Sequence, residues 1–253
     1  MSKANHEWWH EFFPAFRPIF GIISRKQTNA QVRYVIRKLN LRPGHKFLDC
    51  PCGIGRIALP LAKEGIRVTG VDITPSYLTE LESKAKRGGL KIECVHRDMR
   101  RIDFKDKFDA AGNLWTSFGF FEKESDNLLA LKKMFLALKP GGKFLLHVIN
   151  RDWIMAHYQT QDWLECKGIK ILLSNSFDYE KSISLGDWHM IKDGRENVYK
   201  TSIRMYSCHE LINMFSRVGF VDIQTFGTTT DEPVDRNQRM MFIFGSKPKA
   251  TRK

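Results

Sequence analysis

From residue 46 onward, short apolar runs alternate with segments whose apolar residues recur every three or four positions. The runs at Lys46 to Cys50, Val68 to Asp72, Leu90 to His96 and Phe108 to Asn113 predict strands. Lys143 to Ile149 is apolar throughout except for His147, as expected of a strand covered on both faces. Between them, Ile57, Leu59, Leu61 and Ala62 predict a helix over Gly55 to Glu64. Thr74-Pro75 opens a second, which runs through Leu78 and Leu81 to Arg87, where Gly88-Gly89 ends it. A third, apolar at 128, 131, 134, 135 and 138, closes at Lys139-Pro140-Gly141-Gly142. Strands and helices in alternation imply parallel strands joined by right-handed crossovers, hence an α/β doubly wound sheet.

Both flanks differ from this pattern. His6 to Ile23 is dense in aromatics and interrupted by Pro14 and Pro18, where a helix should stop and restart. Thr28 or Asn29 is the expected cap of a helix carrying Val32, Val35, Ile36 and Leu39. After Asn150, alternating segments at 165–174, 176–184, 187–191 and 198–205 predict antiparallel strands, with Asp193-Gly194 as a turn. Helical spacing returns at Leu211 to Val218 and ends at Gly219, before two last strands at Phe220 to Phe226 and Met240 to Phe244. The expected organisation is an aromatic N-terminal cap (1–29), a ligand-binding core (30–150), an antiparallel β insert acting as acceptor lid or oligomer contact (151–206), a return to a mostly parallel, seven-stranded core sheet (207–246) and a basic tail (247–253).

In a doubly wound sheet, ligands bind beyond the carboxyl ends of the strands. That rim holds Asp49 to Gly55, Asp72, Asp98 and Asn113 to Phe118. Gly53-Ile54-Gly55 with Ala58 is a weak signal alone, but here it follows a strand and opens a helix, where bare backbone offers amide donors to a ligand. Asp72, nineteen residues after Gly53, suits both hydroxyls of a ribose. Asp49, four residues before Gly53, would repel a pyrophosphate and attract an ammonium such as that of S-adenosylmethionine. Arg56 reads more readily as a surface helix residue than as a ligand clamp.

At these residues the chain resembles the class I S-adenosylmethionine-dependent methyltransferases, whose sheet is Rossmann-like. The motifs carrying the resemblance are Leu48-Asp49-Cys50-Pro51-Cys52-Gly53-Ile54-Gly55-Arg56, Asp98-Met99-Arg100, Asn113-Leu114-Trp115-Thr116-Ser117-Phe118-Gly119-Phe120-Phe121 and Asn150-Arg151-Asp152-Trp153. Within that superfamily they are similar to a bacterial group of small-molecule type. The resemblance implies that Asp49, Cys52, Gly53 and Gly55 hold the methionine moiety, Asp72 and Ile73 the ribose, and Asp98 and Met99 the adenine. Asn113 and Leu114 would form the floor beneath the sulfonium, with S-adenosylhomocysteine as product.

A pocket for a small organic acceptor is expected from Trp9, Trp115, Ser117, Phe118, Asn150, Arg151 and Trp153, with His157 and Tyr158 nearby. His147, Trp115 and Tyr158 are the candidate catalytic side chains, although His147 also fits a hydrogen-bonded core position. The donor is already activated, so N or O of the acceptor can be methylated largely by positioning.

The 253 residues are 42% hydrophobic and 27% charged, which excludes a disordered chain. No apolar stretch approaches the roughly 20 residues of a bilayer span, and the first residues lack a secretory apolar region, so a cytoplasmic protein is expected. Five cysteines, with Cys50 and Cys52 the only close pair, suggest neither a disulfide framework nor a metal site. The net charge of +13 invites a polyanion. Yet the excess sits at 14–46, 84–107 and 247–253, while 151–210 holds eight basic and nine acidic residues. A near-neutral lid disfavours nucleic acid as partner and leaves an anionic small acceptor open. A membrane partner is also disfavoured, and a homodimer is left open. An RNA methyltransferase using the basic stretches and a noncatalytic scaffold with this fold remain the alternatives.

Overall fold

In the computed structural model, which describes residues 7–250, β1 (Lys46–Asp49) is buried over its last three residues. Residues 1–6 of the expected cap and 251–253 of the basic tail lie outside the described residues. Successive side chains of a strand point to opposite faces. Phe47 therefore packs with Val35 and Leu39 of α2 (Arg25–Leu39), Leu61 of α3 (Ala58–Lys63) and Leu81 of α4 (Pro75–Arg87). Leu48 packs on the other side, with Leu131 and Met134 of α5 (Glu124–Ala137) and Leu211 and Phe215 of α7 (Cys208–Val218). The same split recurs at Ala110/Ala111 of β4 (Phe108–Asn113) and Leu145/Leu146 of β5 (Leu138–Ile149).

With β2 (Arg67–Asp72), β3 (Ile92–His96), β10 (Val221–Phe226) and β11 (Met240–Ser246), these strands form a seven-stranded sheet in the order β10-β11-β5-β4-β1-β2-β3. β1 pairs parallel with both β2 and β4, while β11 runs antiparallel to both of its neighbours. The chain order turns back between β1 and β4, which opens the crevice at their carboxyl ends.

The insert is a second, four-stranded antiparallel sheet: β6 (Gln161–Cys166), β7 (Ile169–Asp178), β8 (Ile183–Lys192) and β9 (Arg195–Arg204). Its strands are longer than the alternation suggests, because Gly186 lies inside β8 instead of ending a strand. A Cβ there would meet the Thr201 hydroxyl at 2.9 Å, so the glycine admits the neighbouring strand. The first turn is instead Lys167-Gly168, with φ of 52° and 74°, matching the expected Asp193-Gly194 turn.

Four other local expectations change. Ser24, not Thr28 or Asn29, caps α2, through a reciprocal box with Gln27. α1 (Trp9–Phe16) runs through Pro14, which is exposed like His10, leaving water available to the carbonyl deprived of a donor. α5 begins at Glu124 and β5 at Leu138, which pairs with Phe108 before the register shifts past Pro140-Gly141-Gly142. A short helix missing from the sequence reading, α6 (Arg151–Ala156), starts where the Asn150 side chain accepts from the Asp152 amide at 3.0 Å. Among the described residues, no helix is long and apolar enough to cross a membrane.

Candidate active site

Asp49 ends β1, where the chain leaves the sheet, and it is 2% exposed. One carboxylate oxygen, Oδ2, is buried without a hydrogen-bond partner. Burial pushes the Asp49 carboxyl up to about 7, opposed by the nearby Arg56 guanidinium. Burial in turn lowers Arg56 to about 10, and its guanidinium lies 5.5 Å from the Trp115 ring. Arg56 thus lines the crevice, contrary to the surface reading. The signal for it in sequence is an arginine directly after the second glycine, seven residues from a buried aspartate.

Asp72, at the end of β2, accepts from the Gly53 amide at 2.8 Å and the Thr74 amide at 2.9 Å. Each oxygen keeps a further lone pair for a ligand hydroxyl. Burial raises its carboxyl, and the two amides counter that rise. Gly53 has φ of 53°, and a Cβ there would stand 3.7 Å from the Phe20 ring, so the backbone faces the cavity across a narrow gap. Cys52 is buried under Gly70 and its thiol is held neutral by burial. Past β3, Asp98 is already engaged by Arg100, whose guanidinium also reaches Asp126 at 3.1 Å and covers the Phe121 ring at 4.2 Å.

These groups line one cavity of about 470 Å³, a volume within the range of small-molecule sites. Its roof is the N-terminal segment. Trp8, Trp9 and Phe12 are buried, and Trp8 meets Phe120 while Trp9 meets Phe121, at 5.3 and 5.4 Å between centroids. Phe12 and Phe16 contact Trp188 of β8, which joins the roof to the inner face of the insert. That face adds Leu173, Asn175, Ser184 and Thr201, which the misplaced strand breaks concealed from sequence reasoning. Beyond β5, Trp153 stacks on His157 at 4.6 Å and carries Arg239 over its ring at 5.3 Å. The His157 Nδ1 lies 2.9 Å from the Trp153 carbonyl, so it donates there and leaves the Nε2 lone pair free. Tyr158, whose hydroxyl is buried without a partner, completes this end.

Of the expected residues, Asp49, Cys52, Gly53, Asp72, Ile73, Asp98, Met99, Leu114, Trp115, Ser117, Trp153 and Tyr158 border the cavity. Trp9 does too, at the Asp98 end beside Arg100 and not beside Trp153. Six others stand behind the wall. Gly55 packs against Leu81 and Leu59, and Asn113 donates to the Ser117 carbonyl at 3.1 Å. Phe118 packs on Tyr206. Asn150 latches the Asp235 and Gln238 carbonyls at 2.8 and 3.1 Å, and Arg151 pairs with Asp152 and Glu210. His147 is stacked on Phe242 at 4.1 Å and does not line the cavity, and burial drives its imidazole down to about 3, so it is neutral. Among the described residues, no cluster of His, Cys, Asp and Glu could hold a metal ion.

Residues 47–142 match the model of a methyltransferase domain family. Over 96% of its length the chain is 24% identical to a putative methyltransferase of Geobacillus sp. (strain WCH70), of which it covers 99%. It is 28% identical over 158 residues to the ubiquinone biosynthesis O-methyltransferase of Bradyrhizobium diazoefficiens, covering 60% of this chain and 61% of that protein. The chain thus spans about three fifths of the length of that curated relative. An S-adenosylmethionine-dependent methyltransferase from Clostridium acetobutylicum shares the fold with a TM-score of 0.79 at 16% identity, covering 95% of this chain and 99% of that one. An amino pentose methyltransferase from Micromonospora echinaspora, solved with S-adenosylmethionine bound, does so with a TM-score of 0.67 at 17% identity, covering 97% and 99%.

Proposed function

We propose that the chain is a class I S-adenosylmethionine-dependent methyltransferase that moves the cofactor's methyl group to nitrogen or oxygen of a small anionic organic acceptor. The observation that carries this reading is the buried, half-unpartnered Asp49 carboxylate beside Arg56. That pair complements the ammonium and carboxylate of a methionine moiety, and its unmet hydrogen bonding is what such a ligand supplies.

In the proposal Gly53 and Cys52 border the methionine moiety, Asp72 with Ile73 takes the ribose hydroxyls, and Met99 and Phe121 cover the adenine, with Leu114 as floor. Asp98 acts mainly by fixing Arg100 over Phe121. When bound, the cofactor supplies a methyl group on a sulfonium, already activated for in-line displacement. The protein's share is to hold the acceptor in line and to exclude water. The aromatic roof does the second, and the inner face of the four-stranded sheet, as acceptor lid, does the first together with Trp153 and Tyr158. His157 Nε2 is the group placed to take a proton from an acceptor hydroxyl. Arg239, whose guanidinium has no carboxylate partner among the described residues, is placed to meet an acidic group of the acceptor. Five free thiols fit a reducing compartment such as the cytoplasm.

The test is transfer of label from methyl-labelled cofactor across a panel of phenolic acids, amino acids and their neutral analogues. The expected result is labelled acidic product, with Arg239→Ala raising KM about tenfold at unchanged kcat, as for a lost charge-assisted hydrogen bond. Transfer to neutral compounds alone, unaffected by Arg239→Ala, removes the anionic acceptor. Transfer to none removes the transferase reading.

A further inference from the structure

We propose that His147 is a positioning residue which, with Gln31 of α2, holds the turn after β4 that shapes the cavity wall; the inference rests on the methyltransferase reading of that cavity. Trp115 and Thr116 have φ of 66° and 63°. Two successive residues in the left-handed region, neither a glycine and one β-branched, persist only where their surroundings impose the conformation. The backbone amides of both residues donate to His147. The Trp115 amide donates to His147 Nδ1 at 3.3 Å, and the Thr116 amide donates to the His147 carbonyl at 2.8 Å.

The imidazole itself is fixed from two sides. Gln31 Nε2 lies 2.9 Å from the same Nδ1. With both amide donors directed at Nδ1, the ring proton belongs on Nε2. Phe242 lies parallel to the ring at 7°, directly across the β5–β11 register. The period of two along β5 puts His147 on the Leu145 face, towards α2, and so behind the wall instead of in the cavity.

The consequence reaches the ligand through Trp115. Its ring stands 5.1 Å from Phe20 in the roof and 5.5 Å from Arg56, whose charge acts on Asp49. Releasing the turn lets the indole rotate, and both the roof and the methionine end lose their neighbour. An imidazole standing inside an apolar strand resembles a general base in sequence, but its neutral Nδ1 is engaged as a hydrogen-bond acceptor.

His147→Phe keeps an aromatic ring against Phe242 and removes the acceptor, whereas His147→Asn returns an oxygen near the position of Nδ1. In full-length protein the readouts are exchange of the Trp115 and Thr116 amides by NMR and S-adenosylhomocysteine affinity by calorimetry. His147→Phe is expected to speed exchange of the Trp115 amide about tenfold relative to those of Leu145 and Leu146, and to weaken S-adenosylhomocysteine about tenfold. His147→Asn is expected to restore both to within about threefold. Exchange and affinity equal to wild type in His147→Phe overturn the inference, as does a folded His147→Asn no better than His147→Phe. If His147→Phe lacks a cooperative melt, Gln31→Met replaces it. A two- to threefold loss of affinity there supports the inference, since one of two anchors is gone, and no loss overturns it. Absence of S-adenosylhomocysteine binding by wild type defeats the cofactor reading instead, and the exchange rates still decide the role of His147.

Discussion

Replacing Asp49 by Asn should stabilise the free protein and weaken its complex, with a pH dependence fixed by the site. The carboxyl lies at about 7 instead of an ordinary 3.8 because burial penalises its charged form. The folded protein thus holds this proton more tightly than the unfolded chain does, so stability from the group is complete below about pH 4 and is lost as pH rises through 7. The whole difference is worth about 4 kcal/mol, of which about 2–3 kcal/mol falls between pH 5 and pH 8. Relaxation and water penetration around a buried charge reduce this, leaving about 1–2 kcal/mol, or about 2–8 °C in Tm for a protein of this size. Asn carries no proton to lose. The Tm of Asp49→Asn minus that of wild type should therefore grow by that amount from pH 5 to pH 8 in scanning calorimetry without ligand. With saturating S-adenosylhomocysteine the order should reverse at pH 8, because the charged carboxylate gains the ammonium, and Asp49→Asn should bind about 10- to 100-fold more weakly. Parallel Tm profiles, or a gap that shrinks as pH rises, would refute the assignment of a buried carboxyl whose charged form burial penalises.

Two further substitutions separate structure from site. Gly55→Ala places a Cβ 2.3 Å from Leu81 Cδ1 at a φ of 82°, so a loss of about 2–4 kcal/mol is expected in denaturant unfolding. An unchanged midpoint would contradict the packing described. Ser24→Ala removes the hydroxyl that accepts from the Gln27 amide at 3.1 Å and should cost about 1 kcal/mol, or about 2–4 °C in Tm, without altering S-adenosylhomocysteine affinity. A change in affinity would mean that the start of α2 communicates with the cavity.

The half of the crevice around Asp49, Gly53 and Asp72 is legible in sequence because each requirement leaves a local mark. A strand must give way to glycines, the glycines to a helix, and the next strand must end on a carboxylate, and Asp49, Gly53 and Asp72 do meet in space. The half walled by the four-stranded insert is not, for physical reasons. Its wall is one face of a sheet, and a face is readable only when strand breaks are known. Gly186 mimics a break while serving a close strand approach, and Lys167-Gly168 makes a turn with a lysine at the left-handed position where Asn or Asp is the usual mark. His147 and Arg56 mislead in opposite senses. The imidazole has the chemistry of a base but the strand period turns it towards α2, and the arginine at a helix entrance is drawn inward by a carboxylate seven residues away. Helix α6 spans six residues and depends on the Asn150 cap, too little sequence for a period to show.

The cavity is proposed to take S-adenosylmethionine, with Asp72 on the ribose. Isothermal titration of full-length wild type and Asp72→Ala with S-adenosylmethionine tests it most directly. One site per chain in wild type, with affinity lost by at least about 100-fold in a variant that still melts cooperatively, is the predicted result for a ligand losing two hydrogen bonds to a buried carboxylate. No binding by wild type, or equal binding by both proteins, would contradict it.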